Sequence, residues 1–369
     1  TKKNQGFSLG SFYAAAKFIL DESLMKDYNK YKKLERGFCM KKALCILLSM
    51  IFLCAPLLSC GSSLEPVEEK ETAPAVTTTK KKEEKKETEE NVPDPDEDEV
   101  IKILMIGNSF CYYFPDELYG MLESAGFNIE VYNLYYSGCK LAQHWNWYIE
   151  NEAKYQYIQT NAASAADRTV TKNYTLKRCL EAENWDIISI QQHFGPAVAD
   201  TYEASYNSCN PYGEKLVKLI RKMHPKADFY FQETWAYQVG WSRDGVTIED
   251  SAMQARHAEN ISAACKQLCL DLQLPMIPCG SAWKIARAHA QIGDVLCNKG
   301  PNGDDSKGDR YHEGTTGGGQ YLNACVWYET ITGESCIGNK WRPTDYPLDE
   351  NRAVLLQQIA HQAVAEKPI

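Results

Sequence analysis

From residue 100 onward, short apolar runs alternate with stretches whose apolar residues recur at helical spacing. Val100-Ile101-Lys102-Ile103-Leu104-Met105-Ile106 is almost continuously apolar, the pattern of a strand covered on both faces. Gly107-Asn108-Ser109 turns the chain, and Pro115-Asp116-Glu117 opens a helix that closes near Gly126. Proline and acids suit a first helical turn, and glycine suits the position past the last. Further strands are predicted over residues 128–135, 187–190, 228–231 and 274–278. Helices are predicted over 212–223, where Leu216, Leu219 and Ile220 share a face, and over 248–272, 282–291 and 319–330. Repeated strand–helix units predict a doubly wound α/β domain with a parallel sheet and helices on both faces. In such sheets the functional crevice lies beyond the carboxyl ends of the strands. Residues 143–184 are less regular: Trp145, Trp147 and Tyr148 precede a polar, alanine-containing stretch, which fits a helical insertion over the site without deciding it.

The pattern before residue 100 is of another kind. Met40-Lys41-Lys42 leads into an apolar run over 43–58, then Ser59-Cys60. A charged start, an apolar core and a small residue before the cysteine predict a secretory signal peptide. A membrane-spanning helix needs about 20 apolar residues, more than this run supplies. Leu57-Leu58-Ser59-Cys60 resembles the lipobox of bacterial lipoproteins, which implies that Cys60 is lipidated and anchors the protein to a membrane at the cell envelope. Met40 is then the start and residues 1–39 are upstream translated sequence. Residues 61–99 are mostly Glu, Lys, Thr and Pro, too polar to offset chain entropy by burial, and are expected to be a disordered tether. The folded domain is expected over 100–369.

Composition narrows the function classes. With 40 Lys+Arg against 49 Asp+Glu and a formal net charge of -9, the chain lacks the concentrated cations that phosphate backbones require, so no nucleic-acid partner is expected. The 14 cysteines form no paired C-x-x-C knuckles, and no metal or other cofactor is expected. Cys265 and Cys269, four apart on one predicted helix, read as core packing or as half of a disulfide.

Two places carry candidate chemistry. Ser109 follows the first strand and precedes a helix; a sharp turn there presents a hydroxyl as nucleophile, and oncoming backbone N–H groups can stabilise an oxyanion. Taken alone, a serine at such a place is more readily a turn or cap residue. Asp309-Arg310-Tyr311-His312 lies late in the chain, after a Gly/Asn/Asp-rich loop. An Asp three residues before a His can orient one ring nitrogen and leave the other as base for a serine.

These blocks resemble the SGNH/GDSL hydrolases. Gly107-Asn108-Ser109 is similar to their Gly-Asp-Ser block with Asn for Asp, Ser137-Gly138-Cys139 stands where their oxyanion glycine does, and Asp309 to His312 matches their Asp-x-x-His block. The third block departs: Gln191-Gln192-His193-Phe194-Gly195 replaces Gly-x-Asn-Asp. Thr234-Trp235-Ala236-Tyr237 and Gly319-Gln320-Tyr321-Leu322 resemble a divergent extracytoplasmic branch. The likeness covers roughly residues 100–340. It implies the SGNH hydrolase fold (flavodoxin-like) and a serine esterase with Ser109, Asp309 and His312 as triad and Gly138 with either Gln191 or Gln192 in the oxyanion hole. It further implies an acylated, above all acetylated, carbohydrate as substrate. Trp235, Tyr311 and His193 are candidate substrate contacts, although Trp235 reads first as a core residue and His193 equally as structural. A lipase or thioesterase would use the same triad. The reading from another class is a glycan-binding surface lipoprotein without catalysis.

Overall fold

The computed structural model describes residues 100–243, 245–292 and 317–366. The expected signal peptide, Cys60 and the tether lie outside them. So do Asp309, Tyr311 and His312. The described residues fall in one compact unit, Asp98–Ile369.

Its frame is a seven-stranded sheet. Five strands are parallel: β1 (Ile101–Gly107), β2 (Ile129–Tyr135), β5 (Ile187–Gln191), β6 (Asp228–Gln232) and β9 (Met276–Ile277), in the spatial order β2-β1-β5-β6-β9. This is the doubly wound α/β order expected. The chain winds outward from β1 in both directions, so the topological switch point falls at the carboxyl end of β1. β3 (Tyr155–Thr160) pairs antiparallel with the free edge of β2, and β4 (Thr169–Tyr174) antiparallel with β3. A second, two-stranded ribbon joins β7 (Ser242–Arg243) and β8 (Val246–Thr247).

Ten α-helices are described: α1 (Pro115–Ser124), α2 (Leu141–Ile149), α3 (Leu176–Ala182), α4 (Pro196–Ala199), α5 (Tyr202–Cys209), α6 (Tyr212–Met223), α7 (Ser251–Leu272), α8 (Cys279–Ala288), α9 (Gly319–Thr332) and α10 (Glu350–Ala365). They form two cores, one on each face of the sheet. Ile103 and Met105 of β1 join the core made with α1, α8, α9 and α10, whereas Leu104 and Ile106 join the other, with α3, α6 and α7. Successive strand residues point to opposite faces. A strand buried on both faces must therefore be apolar throughout, which is what the buried residues 103–106 show.

Two features differ from expectation. The stretch 143–184 holds α2, the β3–β4 hairpin and α3 rather than a helical insertion. β4 reads polar because residues 169–173 are exposed on this edge strand. α10 gave no sequence signal that was read. Cys265 and Cys269 are free, buried thiols of the core rather than part of a disulfide.

Candidate active site

Register brings two turns together. Gly107 pairs with Tyr135 at the ends of β1 and β2, so residues 108–109 and 136–139 leave the sheet side by side. Ser109 begins a short 3-10 turn, Ser109–Cys111, and is 6% exposed. Asn108 caps that turn: its Oδ1 accepts the Phe110 N–H at 3.0 Å, and its Nδ2 donates to the Cys139 carbonyl at 2.9 Å. The Tyr136 N–H donates to the Gly107 carbonyl at 3.2 Å. Between these two ties sits Gly138, at φ +65, a left-handed conformation that favours glycine. Among the described residues its N–H makes no hydrogen bond. A Cβ there would also lie 2.7 Å from Nη2 of Arg243, which reaches the loop from the β7–β8 ribbon.

Beneath the turn lies a buried polar network. Asn133 donates to the Cys111 carbonyl at 2.9 Å and to its sulfur at 3.1 Å. Gln191 donates through Nε2 to Asn108 Oδ1 at 3.1 Å and to Cys111 Sγ at 3.3 Å. Gln232 donates to the Phe110 carbonyl at 2.9 Å and accepts from the Trp327 indole at 3.1 Å. Burial pushes the Cys111 thiol up to about 12, so it stays protonated near neutral pH; the thiolate, not the thiol, would be the nucleophile. Its role is to organise the turn. The sequence reading missed Cys111, Asn133, Gln232 and Arg243. Only Asn133, a polar residue inside an apolar strand, carried a signal.

The remaining candidates separate. Gln191 adjoins the nucleophile turn, yet both of its amide hydrogens are directed to Asn108 and Cys111. Gln192 turns away: Oε1 accepts from Leu141 N at 3.0 Å and His193 N at 3.1 Å, and Nε2 donates to the Ser208 carbonyl at 2.8 Å. It fastens the start of α2 to the end of α5. His193 is 1% exposed, with Nε2 2.7 Å from the Tyr237 hydroxyl. Trp235 is not at a ligand surface. It is 1% exposed, stacked flat on Trp283 at 4.6 Å between ring centres, with Phe110 edge-on at 4.7 Å. His224 and His257 bond to the Leu180 carbonyl and lie by Asp200, respectively, in structural settings.

A family model described as "Domain of unknown function (DUF4886)" matches residues 102–363. The chain belongs to the DUF4886 family. Among solved structures it is similar to a DUF4886 family protein from Bacteroides uniformis, at TM-score 0.61 and 26% identity over 73% of this chain and 96% of that one. Weaker likenesses are to an extracellular lipase from Streptomyces rimosus (TM-score 0.37, 12% identity, 63% of this chain and 99% of that one). Another is to phospholipase A1 from Streptomyces albidoflavus (TM-score 0.35, 11% identity, 63% and 98%). A search of curated proteins finds no match. The DUF4886 match runs from β1 into α10 and so contains the whole switch-point crevice.

Proposed function

We propose that this DUF4886 domain is a serine esterase of SGNH type with Ser109 as nucleophile. One observation carries the reading. Ser109 opens the turn at the carboxyl end of the switch-point strand, and Asn108 bolts that turn to the loop that presents the unbonded N–H of Gly138. In the proposed reaction Ser109 Oγ attacks the ester carbonyl while His312, oriented by Asp309, takes the hydroxyl proton. The N–H groups of Ser109 and Gly138 donate to the oxyanion. The C–O bond to the alcohol then breaks, the alcohol leaves with the proton from His312, and water attacks the acyl-enzyme by the reverse proton path. Gln191 acts here as a positioning residue, holding Asn108 rather than the oxyanion.

The carbohydrate acetyl ester as substrate, and a lipid anchor at Cys60 with an extracytoplasmic location, rest on the sequence resemblances. A glycan-binding protein without catalysis is the second reading. It is favoured by one observation: neither Gln191 nor Gln192 offers a side-chain donor in place of the asparagine of related hydrolases. A fluorophosphonate probe separates the two readings, because it reacts only with an activated serine. Labelling of the wild type that is lost in Ser109→Ala is the expected result. A folded wild type that ignores the probe and aryl acetates overturns the esterase.

A further inference from the structure

One turn along from Ser109 the protein holds a cavity of about 310 Å³, walled in part by Tyr112, Tyr113, Asp116, Glu117, Arg168 and Trp341. That volume is at the small end of small-molecule sites. Four segments meet there: residues 112–117, the β3–β4 connection, the start of α9 at Gln320 and residues 341–346. The Tyr112 N–H donates to the Ser109 carbonyl at 3.3 Å, and the Tyr112 ring packs 4.4 Å from that of Tyr135, three residues before Gly138. The cavity wall therefore continues the nucleophile turn.

Its polar groups are built in. Arg168 grips Asp116 through Nε–Oδ1 at 2.8 Å and Nη2–Oδ2 at 2.5 Å, and donates to the Tyr112 carbonyl at 2.9 Å. Glu117 is 4% exposed, and its Oε1 accepts from the Tyr346 hydroxyl at 2.8 Å. Its Oε2 is buried with no partner among the described residues. A polar atom left in that state lacks a hydrogen bond that a ligand hydroxyl would supply. An anion would meet Asp116 and Asp345, a cation would meet Arg168, and an acyl chain would strip water from all three. A neutral ring with hydroxyls on its edge and C–H groups on its face meets none of these penalties, and aromatic walls suit its face.

We propose that this cavity is a sugar subsite, in which a neutral pyranose lies on the aromatic wall with hydroxyls bonded to Glu117 and the Asp116–Arg168 pair. The proposal rests on the esterase reading of Ser109 and names the alcohol half of its substrate.

The test compares kcat/KM for mono-O-acetylated methyl β-xyloside and methyl β-glucoside with kcat/KM for ethyl acetate, an alkyl ester of similar reactivity. The wild type should prefer at least one glycoside, and Tyr113→Ala and Glu117→Gln should each lower that preference about tenfold, through KM. Tyr113 is half-buried at the wall, so its variant keeps the question open to test if Glu117→Gln fails to fold. No preference in the wild type, or a preference unchanged in folded variants, overturns the subsite while leaving the esterase intact. If instead the wild type ignores fluorophosphonate and every ester, the esterase reading falls on its own. Calorimetric titration with the two unacetylated glycosides then decides the cavity: binding weakened by Tyr113→Ala supports it, and absence of binding overturns it.

Discussion

Burial, and after it the neighbouring Asp116 charge, lift the Glu117 carboxyl from 4.5 to about 8, against the opposing pull of the Tyr346 hydroxyl and Arg168. Between those two values the folded protein holds a proton that the unfolded chain has released. Stability therefore falls as pH rises from about 4.5 to about 8, and is level above that. Glu117→Gln keeps an acceptor for Tyr346 but cannot ionise. Urea unfolding should show the variant gaining on the wild type by on the order of a few kcal/mol between pH 5 and pH 8.5. Parallel pH profiles would show that Glu117 is ionised in the native state throughout. Gly138 tests the other side of the crevice. Alanine there is strained at φ +65 and its Cβ meets Arg243; displacing the loop N–H should lower kcat on an aryl acetate by about 10²–10³ with KM little changed. An unaltered kcat would remove Gly138 from the oxyanion hole. Ser109 and Gly138 were legible because each follows an apolar run at a turn. Cys111 and Gln232 were not, since nothing local distinguishes a buried cysteine or glutamine that braces a turn from one that packs a core.

At the scale of elements, legibility followed burial. β1 is covered on both faces and announces itself by continuous apolar residues. α9 is buried nearly all round, so its apolar residues need no stripe; its position was readable, its central place in the core was not. The β3–β4 hairpin escaped because β4 is an edge with five exposed residues in succession, and an exposed strand has no hydrophobic alternation to read. Besides the pairing of β3 with β2, this hairpin is tied by a contact 52 residues away in sequence, Arg168 on Asp116. Burial lifts the Asp116 carboxyl above its ordinary value even with Arg168 bonded to it, as expected where desolvation rivals the attraction. Removing one partner strands the other, so Arg168→Ala should destabilise the domain by about 3–5 kcal/mol. The uncharged pair Asp116→Asn with Arg168→Gln should recover much of that loss. Chemical unfolding of the two variants measures it; a double variant as weak as the single would show that the guanidinium acts through packing instead.

The whole molecule divides at its first described residues, and so do the expectations about it. The compact unit begins at Asp98, and a protein shortened to start there should unfold cooperatively and match the activity of one starting at Gly61. Whether the fold is also a catalyst turns on a group acting jointly across the chain. Triad members work as one unit, so losing either nucleophile or base removes nearly all of their shared contribution. Ser109→Ala and His312→Ala should each abolish most turnover of an aryl acetate, with the double variant little worse than either. Asp309→Asn should be impaired severely, though less. Ser109 lies in the turn after β1 rather than in either core, so Ser109→Ala should keep the wild-type unfolding midpoint. The decisive figure is the double variant. If its loss equals the product of the single losses, Ser109 and His312 act independently, and His312 is not the base that takes the Ser109 proton. If it equals one of them, the two residues share a single step, and the crevice at the end of β1 is where it occurs.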